Sequence, residues 1–118
     1  MKLYGIPNCG SVKKARAWLA QHGIACPFHD FRKDGVEESL LRRWLDAVPW
    51  ETLVNRRGTT WRQLPDPVKQ GVRDPASALA LMLAQPSVIK RPVLEVDGRV
   101  VVGFDEETYA QIFRQKAP

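Results

Sequence analysis

The first thirty residues are predicted to form a strand, a helix and a second strand, and this order restricts the possible folds more than any other feature. The first strand covers residues 2–6, the helix about 10–22, and the second strand 25–29. The apolar residues at helical spacing are Val12, Ala15, Trp18 and Leu19. When a crossover helix joins two neighbouring strands, the strands pair in parallel and the connection is right-handed. The chain therefore begins with a βαβ unit.

The rest of the chain is predicted to be helical first and then to form a hairpin and a last helix. The expected elements are a helix over 36–48, short helical turns in an irregular stretch over 49–74, a helix over 76–84, strands over 92–96 and 99–102, and a helix over 106–115. Asp97-Gly98 between the two strands is a strong hairpin signal. The order βαβ, helices, ββα predicts an α/β fold with a four-stranded mixed sheet, which matches a thioredoxin-like fold with an all-helical insertion.

A length of 118 residues is enough for one domain with its own hydrophobic core. We expect a single domain over 1–118, with a thioredoxin-like core over about 1–33 and 87–117 and a helical insertion over about 34–86. The chain enters its first strand without an apolar signal segment, and no apolar run approaches the ~20 residues of a membrane span. We therefore expect a cytoplasmic protein without membrane contact, in which cysteines are more often reduced or catalytic than bridged.

The formal net charge of +5 indicates an acidic partner but does not identify it. The basic residues are scattered and form no recognised nucleic-acid motif, so nucleic acid is not the favoured partner. A small oxyanion, or glutathione with its carboxylates, would suit a few local arginines equally well. The two histidines have no metal-ligand spacing with either cysteine, so no metal site is predicted.

Cys9 lies where the first strand is followed by the first helix, at or next to the helix N-cap. The unpaired N–H groups and the dipole of a helix N-terminus favour an anion, and a thiol there can have its pKa lowered from about 8.5 to roughly 3.5–7.5. Lys13 and Lys14 in the first turns would stabilise a thiolate further. The position favours a nucleophile; the alternative is a small buried hydrophobic residue, the commoner state of a free cysteine.

Arg91 and Pro92 immediately precede the predicted hairpin. A proline at the first position of a strand is structurally tolerated, which is the simpler explanation of Pro92. In thioredoxin-like folds, however, a cis-proline at the start of this strand faces the N-terminal cysteine. We therefore expect a cis Arg91–Pro92 bond with Arg91 beside Cys9, where a guanidinium would hold an oxyanion by two hydrogen bonds and stabilise the thiolate.

Three segments together resemble the arsenate reductase (ArsC)/Spx/YffB family over nearly the whole chain. They are Tyr4-Gly5-Ile6-Pro7-Asn8-Cys9 with Ser11-Val12-Lys13-Lys14-Ala15, then Leu53-Val54-Asn55-Arg56-Arg57-Gly58-Thr59-Thr60-Trp61, and then Ile89-Lys90-Arg91-Pro92. The YffB-type branch, whose members are regarded as candidate glutathione-dependent thiol reductases, resembles the chain more closely, because residues 55–61 are its style of motif. The resemblance implies that Cys9 is the nucleophile, that Arg91 is its partner, and that the fold is thioredoxin-like.

The resemblance also implies a set of substrate- or glutathione-binding residues. They are Asn8, Gly10, Ser11, Lys13, Asn55, Arg57 and Pro92. Arsenate reductases of this family that use glutathione and glutaredoxin have three arginines around the cysteine, and only Arg91 has a clear counterpart. Asn55 stands at the second place, beside Arg56 and Arg57, and the third falls near residues 102–104, which contain no arginine. A mixed disulfide and an arsenate-type oxyanion both stay open as substrates, with glutathione as co-reductant, glutaredoxin as a further partner and no bound cofactor.

One cysteine is predicted to carry the chemistry, because Val12 stands where a resolving cysteine would follow Cys9 by three positions. Cys26 begins the neighbouring strand, over ~10 Å from Cys9, whereas a disulfide needs Cα atoms within about 7 Å. The alternative function is a regulator or binding module without catalysis, since Spx-type relatives bind RNA polymerase and sense oxidation through a CxxC pair. Val12 removes that pair but leaves a binding role open.

Overall fold

The computed structural model describes residues 1–116, and its centre is a four-stranded sheet. The strands are β1 (Lys2–Gly5), β2 (Phe28–Asp30), β3 (Val93–Val96) and β4 (Arg99–Val102). They lie in the order β2-β1-β3-β4, with β1 and β2 parallel and the other two neighbouring pairs antiparallel. The mixed sheet confirms the predicted α/β, thioredoxin-like arrangement of strands.

The helices follow the predicted order, with two short elements added. They are α1 (Gly10–Gln21), α2 (Phe31–Asp34), α3 (Glu38–Ala47), α4 (Trp50–Leu53), α5 (Thr59–Arg62), α6 (Asp66–Gln70), α7 (Pro75–Ala84), a 3-10 helix (Pro86–Val88) and α8 (Glu106–Lys116). The added elements are α2 and the 3-10 helix. Each is a single turn, too short to show a periodic apolar pattern, so the sequence gives no sign of either.

The chain divides into two compact units. The first comprises Met1–Arg32 and the chain from Arg91 onward, and it contains the sheet with α1 and α8. The second comprises Lys33–Lys90 and contains α3 to α7. The expectation that the whole chain forms one domain stays a prediction.

The core of the first unit lies on one face of the sheet. Leu3 of β1 and Leu94 of β3 are register partners, and both are buried in one cluster with Trp18 of α1 and Tyr109 of α8. The rings of Trp18 and Tyr109 meet edge to face with centroids 5.7 Å apart. Full burial of one leucine side chain in such a cluster stabilises the fold by about 1.5–3 kcal/mol. The cluster thus fixes β1 and α1, the two elements joined by the Cys9 turn.

The second unit is built mainly from α3 and α7. The buried residues of α3 are Leu40, Leu41 and Trp44. Helix α7 begins with a capping box, in which Asp74 accepts a 2.8 Å hydrogen bond from the Ser77 N–H and the Ser77 hydroxyl accepts one from the Asp74 N–H. Val54 and Ile89 form an isolated β-bridge, so the insertion that the sequence predicts as all-helical contains one pair of β-bonded residues.

The second strand begins later than the sequence predicts. It starts at Phe28 instead of Ala25, and it ends at Asp30. The reason is Pro27, which has no N–H to donate to a ladder. The Pro27 carbonyl still accepts a 2.9 Å hydrogen bond from the Leu3 N–H, so Pro27 pairs with β1 through its carbonyl alone.

The helix predicted over 36–48 is shorter in the structure and covers Glu38–Ala47. Glu37 has an extended backbone and is the N-cap of this helix. The apolar residue Val36 therefore continues the helical pattern of the sequence without belonging to the helix. The ends of a helix are harder to predict from such a pattern than its middle, because an apolar side chain just outside the helix can fit the same pattern.

Candidate active site

Cys9 is the N-cap of α1, in agreement with its predicted place. Its backbone is extended, with φ −85° and ψ 131°, which is the usual conformation of an N-cap residue. The Cys9 N–H donates a 3.3 Å hydrogen bond to the Ile6 carbonyl, and the Cys9 carbonyl accepts the Lys13 N–H at 2.9 Å. The thiol therefore lies at the positive end of α1, where it is partly exposed.

The pKa of the Cys9 thiol lies below its ordinary value because favourable interactions outweigh the cost of burial. Burial is the largest single influence and raises the pKa. The Val12 amide, a hydrogen bond from the Arg91 side chain, the Ser11 amide and the positive charge of Arg91 lower it, in that order. Cys9 makes no capping hydrogen bond as a neutral thiol, so these amides act by stabilising the charged thiolate. These interactions therefore favour the thiolate form of Cys9, which is the form that reacts as a nucleophile.

Arg91 contacts Cys9 from a segment far along the chain. The Arg91–Pro92 peptide bond is cis, as predicted, and Pro92 is buried directly before β3. The Gly103 N–H donates a 2.7 Å hydrogen bond to the Pro92 carbonyl, and Gly103 has φ 84°, which favours glycine. This bond ties the backbone that carries Arg91 to the end of β4. From this position the Arg91 side chain lowers the pKa of the Cys9 thiol, through a hydrogen bond to the thiolate and through its positive charge.

Four of the other predicted binding residues surround Cys9 in the sequence. Asn8, Gly10, Ser11 and Lys13 are all exposed at the start of α1. A Cβ atom at Gly10 would meet nothing within 4 Å. Ser11 contributes its amide to the electrostatics of Cys9. The binding roles of the four side chains, like that of Pro92, stay predictions.

The two remaining predicted binding residues, Asn55 and Arg57, belong to the second unit. The Asn55 Oδ1 accepts a 3.2 Å hydrogen bond from the Arg57 N–H. A Cβ atom at Gly58 would come within 2.8 Å of the Asn55 Nδ2, so the glycine leaves room for this amide. Arg56 packs its guanidinium over the Trp50 ring at 5.5 Å, whereas the Arg57 side chain is exposed. Asn55 thus organises its own loop, and a binding role for either residue stays a prediction.

Val12 has a role that the sequence interpretation missed. In the sequence it counts as an apolar helix residue and as the place of an absent second cysteine. In the structure its backbone amide is the group that lowers the Cys9 pKa most. Counting from the N-cap would have indicated this, because the N–H groups of the second and third helical positions have no intrahelical partner and face the N-cap side chain.

Cys26 lies at the opposite end of the β1–β2 pair from Cys9. The two strands are parallel, with Gly5 opposite Asp30 at their carboxyl ends, where Cys9 follows. Cys26 precedes the amino end of β2, packs against the core cluster of the first unit and is a free thiol, as is Cys9. Burial raises the pKa of Cys26. These positions agree with the prediction that Cys26 is not a resolving partner of Cys9.

No three or more His, Cys, Asp or Glu side chains lie close enough together to hold a metal ion anywhere in residues 1–116. Within the same residues, no helix is long and apolar enough to cross a membrane. The groups that the structure gathers at the candidate site are a thiol, two backbone amides and a guanidinium.

Known proteins share both this fold and much of this sequence. A solved structure of a protein named YffB has a TM-score of 0.88 and 50% sequence identity, over 92% of this chain and 95% of that chain. An arsenate reductase (ArsC) related protein from Brucella melitensis has a TM-score of 0.75 and 53% identity, over 97% and 96% of the two chains. The global transcriptional regulator Spx from Streptococcus agalactiae is 27% identical over 107 residues, which are 89% of this chain and 77% of the regulator.

The family model described as the ArsC family matches residues 4–112. This match spans the Cys9 turn, the second unit and most of α8. The chain belongs to the ArsC family, and the resemblance stated from the sequence is confirmed.

Proposed function

We propose that this protein is a thiol-based reductase in which Cys9 is the nucleophile and glutathione is the co-reductant. The observation that carries the proposal is the place of Cys9 at the N-cap of α1, partly exposed, where the Val12 and Ser11 amides and Arg91 lower its pKa despite partial burial. The thiolate form of a cysteine attacks sulfur and oxyanion centres, whereas the neutral thiol does not. The likeness to an arsenate reductase related protein supports a reductase over other uses of the same fold.

With a mixed disulfide of glutathione as substrate, the reaction has two exchange steps. The Cys9 thiolate attacks the glutathione sulfur, a new S–S bond forms, and the other thiol leaves with the electron pair of the broken bond. A glutathione thiolate then attacks this glutathione sulfur, which releases Cys9 as a thiolate and forms glutathione disulfide. Arg91 and the amides of α1 stabilise Cys9 both as attacking and as leaving group, because its charge is the same in both roles.

With arsenate as substrate, the same thiolate attacks arsenic(V) and displaces hydroxide. Glutathione then attacks the Cys9 sulfur, the electron pair of the S–As bond stays with arsenic, and arsenite leaves. A second glutathione, or glutaredoxin, reduces the resulting Cys9–glutathione disulfide. Arg91 is the guanidinium that would hold the oxyanion, aided by the helix N-terminus.

Substrate and glutathione are proposed to bind around the start of α1. Asn8, Gly10, Ser11 and Lys13 are exposed there, and this exposure supports access of a ligand to the helix end. The family resemblance alone supports the proposal that Pro92, Asn55 and Arg57 are binding residues. Two free cysteines suit a reducing compartment, so the cytoplasm is the proposed location.

The proposal is tested by steady-state turnover with glutathione as reductant, offered a small glutathione mixed disulfide and arsenate in parallel. Cys9→Ser is the blank and Cys26→Ala the matched control, because both remove a thiol from the same chain. We expect turnover of at least one substrate by the parent protein and by Cys26→Ala, and none by Cys9→Ser. Turnover that survives in Cys9→Ser, or no turnover of either substrate, would overturn the proposal.

A second candidate function is a regulator or binding module without catalysis. The observation that favours it is the similarity to the transcriptional regulator Spx. Under this proposal the chain would contact RNA polymerase or another protein, without the CxxC redox pair because Val12 stands in its place. Retention of this chain by purified RNA polymerase, together with no glutathione-dependent turnover, would favour the second candidate.

A further inference from the structure

Gly5, at the carboxyl end of β1, lies against the side chain of Val12 in the first turn of α1. A Cβ atom at position 5 would come within 2.7 Å of the Val12 Cγ2, closer than two such carbon atoms approach each other. Gly5 does not have the left-handed backbone that the structure shows at Gly23, Gly35, Gly98 and Gly103. The site therefore requires glycine for space and not for backbone conformation.

Neither side of this contact can easily move away. Gly5 is held in the sheet by its pairing with Asp30 of β2. Val12 is 0% exposed, and a valine in a helix has one strongly preferred rotamer. Close-packed interiors transmit a displacement instead of absorbing it. A methyl group at position 5 must therefore push the first turn of α1 away from β1.

That turn supplies the amides that face the Cys9 sulfur. The same residue whose side chain touches Gly5, Val12, also provides the amide with the largest favourable effect on the thiolate, and Ser11 provides the other. Hydrogen bonds to an anion depend strongly on distance and angle. A shift of the turn therefore changes the stabilisation of the thiolate directly.

We propose that Gly5 is a positioning residue, whose missing side chain lets α1 approach β1 closely enough for the Val12 and Ser11 amides to face Cys9. The inference rests on the proposed role of Cys9 as a nucleophile, but it concerns the acidity of the thiol, which is measured without a substrate. A merely structural role of Gly5 would lower stability on substitution and leave the acidity of Cys9 in the folded protein unchanged.

The test is the pH profile of Cys9 alkylation by iodoacetamide in a Cys26→Ala background, where Cys9 is the only thiol. Gly5→Ala is expected to raise the midpoint of the profile by about half to one pH unit, because hydrogen bonds to the thiolate weaken. The matched control is Gly71→Ala, at a glycine with φ −77° whose added Cβ would meet its nearest atom, the Pro67 carbonyl oxygen, at 3.4 Å. The control is expected to keep the parent midpoint.

The Val12→Ala variant shows whether the Gly5–Val12 contact is the cause. Alanine removes both methyl groups that oppose a side chain at position 5 and keeps the backbone amide. Gly5→Ala is therefore expected to raise the midpoint far less in the Val12→Ala background than in the parent. An equal rise in both backgrounds, or no rise in the folded Gly5→Ala protein, would overturn the proposal.

Circular dichroism establishes which variants are folded. If Gly5→Ala alone does not fold, the double variant Gly5→Ala/Val12→Ala must fold and titrate like Val12→Ala, and an unfolded double variant would contradict the inference. The proposed function fails separately, by turnover that survives in Cys9→Ser. A normal Cys9 dependence of turnover with an unmoved midpoint in Gly5→Ala would remove the inference alone.

Discussion

Cys9 and Cys26 are two free, partly buried thiols of one unit. Their pKa values are shifted from the ordinary thiol value in opposite directions. Burial is the largest influence on each and raises both pKa values. At Cys9 the amides of Val12 and Ser11 and the Arg91 side chain reverse the effect, so the pKa is lowered. At Cys26 the positive charge of the N-terminus opposes burial without overcoming it, so the pKa is raised.

The difference shows that the position of a thiol in its secondary structure matters more here than its degree of burial. Cys9 begins a helix and faces hydrogen-bond donors, which favour an anion. Cys26 precedes a strand, and its sulfur lies 3.7 Å from the Pro27 carbonyl oxygen, an acceptor that suits only the protonated thiol. The β1–β2 pair is therefore followed at its carboxyl ends by a thiol with a lowered pKa, and β2 is preceded at its amino end by a thiol with a raised pKa.

The contrast between the two cysteines is tested most severely by removing each thiol in turn. Cys9→Ser is expected to reduce glutathione-dependent turnover to the uncatalysed rate, since a serine hydroxyl is not ionised at neutral pH. Cys26→Ala is expected to keep turnover within about twofold, because Cys26 lies at the opposite end of the β1–β2 pair from Cys9 and its replacement changes local packing and not the nucleophile. Steady-state assays of both variants check this, and loss of turnover in folded Cys26→Ala would contradict the one-cysteine mechanism.

Arg91→Ala should reduce the difference in pKa between Cys9 and Cys26. The substitution takes away a hydrogen bond and a positive charge at Cys9, so the Cys9 pKa is expected to rise by about one unit. Arg91→Lys is the matched variant, which keeps the charge and loses the planar fork, and should give a smaller rise. The ultraviolet absorbance of the thiolate as a function of pH measures both. An unchanged Cys9 midpoint in Arg91→Ala would contradict the assigned contact.

Lys13→Gln separates substrate binding from thiol acidity. Lys13 is exposed one turn into α1, and the contact expected with a glutathione carboxylate is a surface ion pair. Its removal is expected to raise the KM for glutathione by about twofold to fivefold, as for other exposed pairs. The Lys14→Gln variant, at the neighbouring exposed position, is the comparison. An equal KM in Lys13→Gln and the parent would remove Lys13 from the binding set.

Tyr109→Phe is expected to have the smallest effect. The Tyr109 ring is fully buried against Trp18 and Phe104, and its hydroxyl has no hydrogen-bond partner within residues 1–116. Burial raises the pKa of this hydroxyl, and the nearby Cys26 raises it further. Removing an unsatisfied buried hydroxyl should raise the free energy of unfolding by up to about 1 kcal/mol, as measured by urea denaturation. A clear loss of stability would show that the hydroxyl has a partner in solution.

Much of this site follows from sequence alone because its parts are local. The strand, turn and helix start around Cys9 are encoded by neighbouring residues, and the hairpin is marked by Asp97-Gly98, where Asp97 has φ 49° and Gly98 φ 76°. Arg91 is the distant exception: its place is expected because the element order matches thioredoxin-like folds, in which a cis-proline at the start of this strand faces the N-terminal cysteine, and β3 does pair with β1.

The features that the sequence does not predict depend on distances and hydrogen-bond geometry in the folded chain, which a pattern of residue types does not contain. The close approach of Gly5 to Val12 needs the actual spacing of β1 and α1. The delayed start of β2 depends on which hydrogen bonds Pro27 can make in the ladder. The loop role of Asn55 likewise depends on a turn geometry around Gly58 that its residue types alone do not specify.

The most direct measurement is the pH dependence of alkylation at each cysteine, read separately by mass spectrometry of the same folded sample. A thiol reacts as its thiolate, so each rate rises with pH through the pKa of that thiol. We expect Cys9 to be half-maximally reactive at a lower pH than an ordinary cysteine thiol, and Cys26 at a higher pH. Coincident midpoints, or a Cys26 midpoint below that of Cys9, would contradict the claim that the start of α1 and Arg91 make Cys9 the nucleophile.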